Sequence, residues 1–234
     1  MVRICIIIPA YNEASAIGSV IHGINNSLSN IKHEYKIVVI DDGSKDNTVQ
    51  EAEKSGAKII SHIVNVGSGG ATATGLSYAS QHGYDFAATI DADGQHDPEN
   101  LREGIEIMLK NRDLDLLIGS RLIDSSGMAK IRVVGNKGLS LFTFLLFGVK
   151  VTDSQSDLRI LSKKALAQLK LKTSGYEFCS EMLWRANQLK LAIEEFPIRA
   201  IYTEYSKSKG QSNWNAYNIA LALIKRRIVE LINE

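Results

Sequence analysis

In the first half of the chain, five short apolar segments alternate with segments of helical pattern, and this alternation restricts the possible folds more than any other feature. The apolar segments are rich in β-branched residues, which is typical of strands covered on both faces. They span residues 2–8, 35–40, 57–63, 85–90 and 115–118. The helical segments span 14–28, 46–55 and 98–110, and the segment from Gly67 to Gly75 leads into a further helix that reaches about residue 81. The order predicts an α/β fold in which helices flank a mainly parallel, doubly wound sheet.

A polar cluster follows four of the five predicted strands. These clusters are Tyr11–Glu13, Asp41–Ser44, Asp91–Gln95 and Ser120–Arg121. In doubly wound sheets, ligands bind beyond the carboxyl ends of the strands. The coincidence of four clusters at that edge therefore predicts a ligand site there.

The second half of the chain has a different pattern. Residues 128–149 form a helical stretch that is basic at its start and apolar at its end, and a polar loop follows at 153–159. Further helices are predicted at 163–170, 179–189 and 214–232, with a strand at 192–198. Because no repeat or linker interrupts the sequence, we expect a single domain over residues 1–234.

Composition excludes several classes of protein. The net charge of +1 creates no general attraction for nucleic acid, so any anion site must be local. The two cysteines lack metal-ligand spacing, and Cys5, inside an apolar strand, is expected to be a buried, inert thiol. No apolar stretch reaches the ~18 residues that span a bilayer. Residues 139–149 supply about half of that length, which fits either a core helix or a segment in the membrane interface.

Asp91 and Asp93 come directly after the predicted strand 85–90. If the extended backbone continues, the two side chains point the same way. Two convergent carboxylates suit Mg²⁺ or Mn²⁺, which proteins hold with one or two carboxylates and the phosphates of a substrate. The alternative is a polar loop before a helix that Asp97 caps and Pro98 begins. That alternative leaves the two preceding acids unexplained.

Other polar residues are candidates for binding anions. Gly67–Ala71 precedes a helix, so its backbone N–H groups either face an anion or form a tight, closely packed loop. Arg121, at a strand end, is suited to clamp a phosphate. Three cations either bind a second anion or are ordinary surface charges: Arg132, Arg159 and Lys207. His96 is expected to pack near the acids rather than bind the metal, because carboxylate-rich magnesium sites rarely use imidazole.

Taken together, these motifs resemble those of a known family. The motifs are Ile8-Pro9-Ala10-Tyr11-Asn12-Glu13, Asp41-Asp42-Gly43-Ser44, Asp91-Ala92-Asp93-Gly94-Gln95-His96 and Gly119-Ser120-Arg121. They resemble the inverting nucleotide-sugar glycosyltransferases of the GT-A fold, and especially the branch of dolichyl-phosphate mannose and glucose synthases. The resemblance covers nearly the whole chain and implies a Rossmann-like GT-A fold, with amphipathic helices on the acceptor side.

The resemblance implies a role for each matching residue. The nucleoside is expected to be held by Pro9, Tyr11, Glu13 and Asp41. The diphosphate is expected beside Asp91, Ala92 and Asp93, and Mg²⁺ or Mn²⁺ between Asp91, Asp93 and Gln95. The residues expected to act in catalysis are Asp93, Arg121 and Arg132, the two arginines through donor or acceptor phosphates. Lys207 lies where relatives often place an arginine for the diphosphate, and Asn213 lies where they often have lysine.

The implied reaction moves a hexose from a UDP- or GDP-sugar to a polyprenyl or dolichyl phosphate, with inversion at the anomeric carbon. Residues 1–121 are expected to bind the nucleotide sugar, and residues 122–234 are expected to face the acceptor and the lipid. Gly69-Gly70-Ala71 and Gln95-His96 look closer to glucose-type, uridine-using relatives. The protein is expected to be cytoplasmic and bound peripherally to the cytoplasmic face of the membrane, with self-association adding avidity.

Several alternatives stay open at this point. Residues 128–149 meet either the membrane or the core, and we expect Phe144 and Phe147 to contribute to membrane contact. A sugar hydroxyl as acceptor would require a general base, for which Glu181 and Glu177 are the first candidates. A non-catalytic, nucleotide-binding membrane scaffold is the remaining alternative, and an intact aspartate pair argues against it.

Overall fold

The computed structural model describes residues 1–126, 128–199, 201, 221, 223 and 224. The strands in this part of the chain are β1 (Arg3–Ala10), β2 (Glu34–Asp41), β3 (Lys58–Ser61), β4 (Phe86–Thr89), β5 (Leu116–Ser120), β6 (Arg159–Ser162) and β7 (Ile193–Pro197). They form one sheet in the order β3-β2-β1-β4-β6-β5-β7. All neighbouring strands run parallel except β6, which is antiparallel to both β4 and β5. The predicted mainly parallel sheet is confirmed.

Helices flank the sheet, as predicted. They are α1 (Ile17–Leu28), α2 (Thr48–Lys54), α3 (Ser68–Gln81), α4 (Pro98–Lys110), α5 (Lys130–Phe147), α6 (Lys163–Gln168) and α7 (Phe178–Gln188). Helix α4 has the predicted bounds because the carboxylate of Asp97 accepts the N–H of Glu99 at 3.0 Å, and proline occupies its first position. Most of the predicted C-terminal helix, 214–232, lies outside the described residues. None of the described helices has the length and apolar character needed to cross a membrane.

The core lies on both faces of the sheet. Along β1, the side chains of Ile4, Ile6 and Ile8 pack into one cluster with α1 and α4, whereas those of Cys5 and Ile7 pack into the other. Because both faces are covered, this strand shows an uninterrupted apolar run instead of an alternating one. Burial raises the pKa of the Cys5 thiol to about 12, so it stays protonated, in agreement with the predicted inert thiol.

Strand β6 is the one described strand that the sequence pattern does not predict. The polar segment 153–159 suggests only a loop, but its last residue, Arg159, begins a strand inserted between β4 and β5. The prediction that Arg159 is a surface cation or an anion ligand is wrong. Its side chain is fully buried, and its guanidinium donates to the backbone oxygens of Ser154, Ser156 and Cys179. A buried arginine satisfied by carbonyl oxygens is a structural element of the core.

Candidate active site

A cleft of about 760 Å³ opens at the carboxyl ends of β1 and β4. Residues from four parts of the chain meet there: the ends of the parallel strands, the segment that leads into α3 with the first turn of that helix, helix α5, and the loops that lead into β6 and α7. The lining residues include Pro9–Glu13, Asp91–Asp93, Gln95 and Arg121 from the strand ends; Met128, Ile131, Arg132, Gly135, Asn136 and Leu139 from α5 and the segment before it; and Gln155, Asp157, Tyr176 and Cys179 from the loops and α7.

The cleft brings together most of the residues that the sequence singles out. Its lining includes Pro9, Tyr11, Glu13, Asp91, Ala92, Asp93, Gln95, Arg121 and Arg132. Asp41 is not in the lining: it is buried, and its carboxylate accepts the N–H of Ser44 at 3.2 Å. Its neighbour Asp42 lines the cleft instead. Lys207 and Asn213 lie outside the described residues.

A turn, and not a continued strand, directs Asp91 and Asp93 into the cleft. Strand β4 ends at Thr89, and Gly94 adopts a φ of 75°, in the left-handed region that glycine tolerates. The Oδ1 atom of Asp93 accepts the N–H of Gln95 at 2.9 Å, which closes the turn. The expected convergence of the two carboxylates is therefore present, but the expectation that extended backbone produces it is wrong.

A third carboxylate, Asp157, joins this pair through the antiparallel strand. Thr89 pairs with Arg159 in the ladder between β4 and β6, so two further steps in the same register place Asp157 opposite Asp91. The two carboxylates are close enough that, besides burial, the charge of Asp91 raises the pKa of Asp157. The sequence gives no indication of this proximity, because 66 positions separate the residues and the pairing depends on the unpredicted strand.

The carboxylates of Asp91, Asp93 and Asp157 concentrate negative charge in one part of the cleft. Burial and then the neighbouring Asp93 raise the pKa of Asp91 to about 7, although 35% of the Asp91 side chain is exposed to the cleft. Burial and then the charge of Asp91 raise the pKa of Asp157 to about 7. Burial also raises the pKa of Asp93. Carboxylates held this close are stabilised by protons or by a cation.

The donor set fits a hard divalent cation. Two carboxylates and the amide oxygen of Gln95 are oxygen ligands of the kind that Mg²⁺ and Mn²⁺ take. Among the described residues, no group of three or more histidine, cysteine, aspartate or glutamate side chains is arranged to enclose a metal ion. A cation here would therefore need oxygens from a bound substrate, as is usual for Mg²⁺ beside phosphates.

The metal-free protein is expected to lose thermal stability as the pH rises from about 5 to 8. Asp91 and Asp157 have pKa values of about 7 in the folded protein, well above the ~3.9 of an unfolded aspartate. Between these values the folded state binds more protons than the unfolded state, so the free energy of unfolding falls as the pH rises. If Mn²⁺ binds at these acids it would replace those protons, so its stabilising effect should grow over the same range. Thermal melts across pH, with and without Mn²⁺, measure both effects. If the melting temperature does not change with pH under either condition, the raised pKa values of these carboxylates are contradicted.

His96 packs beside the acids, as expected. It is buried, and its Nε2 atom lies 3.6 Å from Oδ2 of Asp91. Burial and then the charge of Arg121 lower the pKa of His96, so the ring is neutral at physiological pH. A neutral ring at this distance supports the position of Asp91 without adding charge to the cluster.

Arg121 is held rigidly by Asp153, which in the sequence is only one residue of a polar loop. Its Nε and Nη2 atoms donate to the two oxygens of Asp153 at 2.7 and 3.0 Å, and its backbone N–H donates at 3.2 Å. Burial alone would raise the pKa of Asp153, but the charge and hydrogen bonds of Arg121 outweigh it and hold that pKa below its usual range. The Arg121 side chain therefore lines the cleft while it is fixed in an ion pair with Asp153.

The glycine segment 67–71 binds its own chain. The N–H groups of Gly69 and Gly70 donate to the carbonyl oxygen of Ser174 at 2.8 and 3.3 Å. A Cβ atom on Gly67 would lie 2.3 Å from that oxygen, and the φ of 98° at this residue also favours glycine. The tight-packing alternative is therefore the correct one, and the anion-binding alternative is wrong for these two N–H groups.

The glutamates proposed as general bases do not line the cleft. Glu181 is buried and accepts hydrogen bonds from Lys172, Thr173 and Arg185. Burial would raise its pKa, but these hydrogen bonds outweigh burial and keep the pKa low. A carboxylate held in this way orders the 172–173 loop and is a poor proton acceptor. Asp157 is the additional carboxylate that lines the cleft instead.

Tyr176 is a second lining residue that sequence reasoning missed. The docking of Ser174 on the glycine segment places Tyr176 in the cleft with 46% of its surface exposed. Burial and then the nearby charges of Asp91 and Asp157 raise the pKa of its phenol. Only the fold could show this, because Tyr176 follows no predicted strand and belongs to no recognisable motif.

A Rossmann-like sheet with paired acids after its central strand, beside a cleft of this size, is the architecture of the GT-A glycosyltransferases. The model of glycosyl transferase family 2 matches residues 5–170, and the chain belongs to this family. It is therefore a glycosyltransferase, which sets aside the alternative of a non-catalytic scaffold.

Relatives of known activity cover nearly the whole chain. It is 40% identical, over 98% of both chains, to a UDP-N-acetylglucosamine–dolichyl-phosphate N-acetylglucosaminyltransferase of Methanococcus voltae. It is 29% identical to an undecaprenyl-phosphate mannosyltransferase of Micrococcus luteus, over 88% of this chain and 87% of the relative.

A solved structure has the same fold. A glucosyl-3-phosphoglycerate synthase from Mycobacterium tuberculosis, in complex with Mn²⁺ and UDP-glucose, superposes with a TM-score of 0.71 at 22% identity. The match covers 96% of this chain and 78% of that one. The expected GT-A fold is confirmed.

Proposed function

We propose that this glycosyltransferase moves a sugar from a nucleoside diphosphate to a polyprenyl phosphate at the membrane surface, with inversion and with bound Mg²⁺ or Mn²⁺. One observation carries the proposal: the same cleft is lined by Asp91 and Asp93 and by the basic, then apolar, face of α5. A cation and diphosphate site next to a basic and apolar wall suits a substrate pair in which the acceptor has a phosphate head and an isoprenoid tail.

The donor occupies the strand-end side of the cleft. Pro9, Tyr11 and Glu13 follow β1 and hold the nucleoside, for which the half-exposed ring of Tyr11 offers a stacking surface. Asp91, Asp93 and Gln95 hold the metal ion beside the diphosphate. When bound, the cation stabilises the negative charge that grows on the leaving diphosphate. Arg121 adds a fixed positive charge on the same side.

The acceptor approaches along α5. Arg132 and Asn136 lie on the face of α5 that lines the cleft, followed by Leu139 one turn later. A phosphate monoester has its second pKa near 6, so it is mostly a dianion at neutral pH and attacks without a strong general base. Arg132 orients the phosphate head in line with the anomeric carbon, and the apolar residue receives the beginning of the tail.

The outer face of α5 is suited to the membrane surface. The exposed apolar side chains that do not line the cleft are Val134, Leu141, Phe144 and Leu145. Lys130 and Lys137 are exposed on the same helix and attract anionic head groups. An amphipathic helix of this composition binds weakly and reversibly in the interface, on the cytoplasmic face in this proposal. Self-association would strengthen such binding through avidity and stays a prediction.

Phe144 and Phe147 are both expected from the sequence to contact the membrane, but only Phe144 is exposed in the structure, so the two are expected to behave differently. Phe144 is 42% exposed, whereas Phe147 is 8% exposed and packs against Trp184 with 5.3 Å between ring centroids. Phe147→Ala should therefore lower the free energy of unfolding by about 3–5 kcal/mol. Phe144→Ala should leave stability nearly unchanged and weaken vesicle binding. Chemical denaturation and vesicle co-sedimentation of both variants measure these effects, and equal loss of stability in both would contradict the assignment.

We propose a UDP-sugar as donor. The relative from Methanococcus voltae, whose name specifies UDP-N-acetylglucosamine, is 40% identical over 98% of both chains. The test incubates the protein with Mn²⁺, a short polyprenyl phosphate and labelled UDP-N-acetylglucosamine, UDP-glucose or GDP-mannose. Labelled product in the organic phase with a UDP-sugar supports the proposal. Transfer from GDP-mannose alone contradicts the choice of base, and absence of any lipid product contradicts the acceptor.

A sugar hydroxyl as acceptor is the second candidate, and Asp157 is the observation that favours it. This carboxylate lines the cleft with a pKa of about 7, the range in which a general base works best at neutral pH. Transfer of label only to soluble glycans in the same assay would support this candidate over the first.

A further inference from the structure

We propose that Glu195, which lies outside the cleft lining, is a positioning residue for Arg121. The inference rests on the proposed role of Arg121 at the phosphates. Glu195 lies on β7, where it pairs with Ile118 of β5, two positions before the end of that strand. Arg121 is the residue that follows β5, so its direction depends on how that strand end is held.

The Glu195 carboxylate organises the turn that carries the partner of Arg121. It accepts the N–H of Thr152 at 2.7 Å, the N–H of Asp153 at 3.0 Å and the hydroxyl of Thr152 at 2.8 Å. Asp153 then accepts the backbone N–H and both guanidinium contacts of Arg121. Hydrogen bonds to a charged acceptor are the stronger kind, so Glu195 determines where the Asp153 carboxylate lies.

A second connection reaches the backbone on either side of Arg121. The Thr152 hydroxyl donates to Glu195, so it accepts from the hydroxyl of Ser120 at 2.6 Å. The Ser120 hydroxyl in turn accepts the N–H of Leu122 at 3.2 Å. Every donor in this series points toward the Glu195 carboxylate, and hydrogen bonds aligned in one direction strengthen one another. The residues before and after Arg121 are thus tied to the same acid as its ion-pair partner.

This arrangement has a chemical consequence for the site. An arginine that stabilises charge in a transition state is effective only if it is already in place, because a displacement of about 1 Å costs up to 100-fold in rate. Glu195→Gln replaces one acceptor oxygen with an NH₂ group that cannot accept from the turn. We expect this variant to reduce kcat about tenfold, with a much smaller change in the KM for the donor.

The neighbouring glutamate provides a matched control. Glu194 is adjacent on the same strand and more exposed than Glu195. Glu194→Gln makes the same chemical change one position away and is expected to leave kcat within about twofold of the parent enzyme, as surface substitutions usually do. If both variants lose activity equally, the effect belongs to the edge strand in general and the inference is wrong.

A double-mutant cycle with Arg121→Ala decides whether Glu195 acts through Arg121. In the Arg121→Ala background, Glu195→Gln should change kcat less than about twofold, because the residue that it positions is gone. Persistence of the tenfold loss in that background would overturn the inference, as would parental activity in the single variant. If Glu195→Gln fails to fold, Thr152→Val removes only the hydroxyl link and is used in the same cycle.

Release of the nucleotide is the readout, so the cycle does not depend on which acceptor is used. If the parent enzyme releases nucleotide but makes no lipid product, the acceptor assignment fails while the cycle remains measurable. If Arg121→Ala retains full activity, the phosphate role of Arg121 fails, and the inference about Glu195 fails with it. If Arg121→Ala loses activity but Glu195→Gln has the activity of the parent enzyme, only the positioning role of Glu195 is wrong, and the role of Arg121 stands.

Discussion

Asp93→Asn is expected to reduce kcat by at least about 1000-fold, which corresponds to about 4 kcal/mol of lost transition-state stabilisation. The change removes a negative ligand from the site proposed for Mg²⁺ or Mn²⁺, while asparagine retains the oxygen that accepts the N–H of Gln95. The turn is therefore preserved. In the metal-free protein the melting temperature should stay constant or rise at pH 8, because one of the crowded carboxylates is gone. Rates of nucleotide release with saturating Mn²⁺, together with thermal melts, measure both effects.

Asp97→Asn is the matched control for that experiment. Asp97 belongs to the same loop but caps α4 through the N–H of Glu99 and does not line the cleft. Asparagine is an equally good N-cap residue, so both stability and activity should remain close to the parent values. Comparable loss of activity in the two variants would attribute the effect to the loop's conformation, and a nearly normal rate for Asp93→Asn would refute the metal site.

Leu141→Glu combined with Leu145→Glu is expected to weaken binding to anionic vesicles by at least about 100-fold. These side chains are 58% and 69% exposed on α5, so the fold tolerates their replacement. Burying one leucine side chain in the membrane contributes roughly 1.5–3 kcal/mol to the free energy of binding, whereas a glutamate is repelled by anionic lipid. Transfer to a short, water-soluble polyprenyl phosphate should continue, whereas transfer to a long acceptor in vesicles should fall with binding.

Leu189→Glu is the corresponding control for the membrane experiment. Leu189 is 40% exposed at the end of α7 and is not on the proposed membrane face of α5. Its substitution introduces the same charge and should leave vesicle binding nearly unchanged. Unaltered vesicle binding by the Leu141 and Leu145 double variant would show that the exposed face of α5 does not contact lipid.

The first half of the fold could be predicted well because its signals are local. Uninterrupted apolar runs such as 2–8 identify buried strands, and Asp97 with Pro98 identifies the beginning of α4. Parallel strands joined by helices must place their carboxyl ends at one edge, so the polar clusters after them meet. Eight of the predicted site residues line the cleft for this reason, and Arg132 joins them from α5; their chemical roles stay predictions.

Three of the errors share one physical cause: in the folded chain, hydrogen bonds already satisfy polar groups whose residue type suggests a ligand-binding or catalytic role. Arg159 is polar in sequence, yet three backbone oxygens satisfy it inside the core. Gly69 has the sequence context of an anion loop, but its N–H group is already bonded to Ser174. Glu181 has the residue type of a general base, but the neighbouring loop holds it as a structural acceptor.

The sequence alone predicts three features: the parallel sheet, the edge at which the ligand site lies, and the acid pair at that edge. Each of them depends on the period of apolar residues and on short motifs. The tertiary structure alone decides that Asp157 completes the acid cluster, that Tyr176 enters the cleft and that Arg121 is fixed by Asp153. The position of Asp157 depends on an antiparallel strand of only four residues inserted into a parallel sheet. Its sequence, Arg-Ile-Leu-Ser, has only two apolar residues and directly follows a polar loop, so the pattern does not indicate a strand; pairing with β4 and β5 places it.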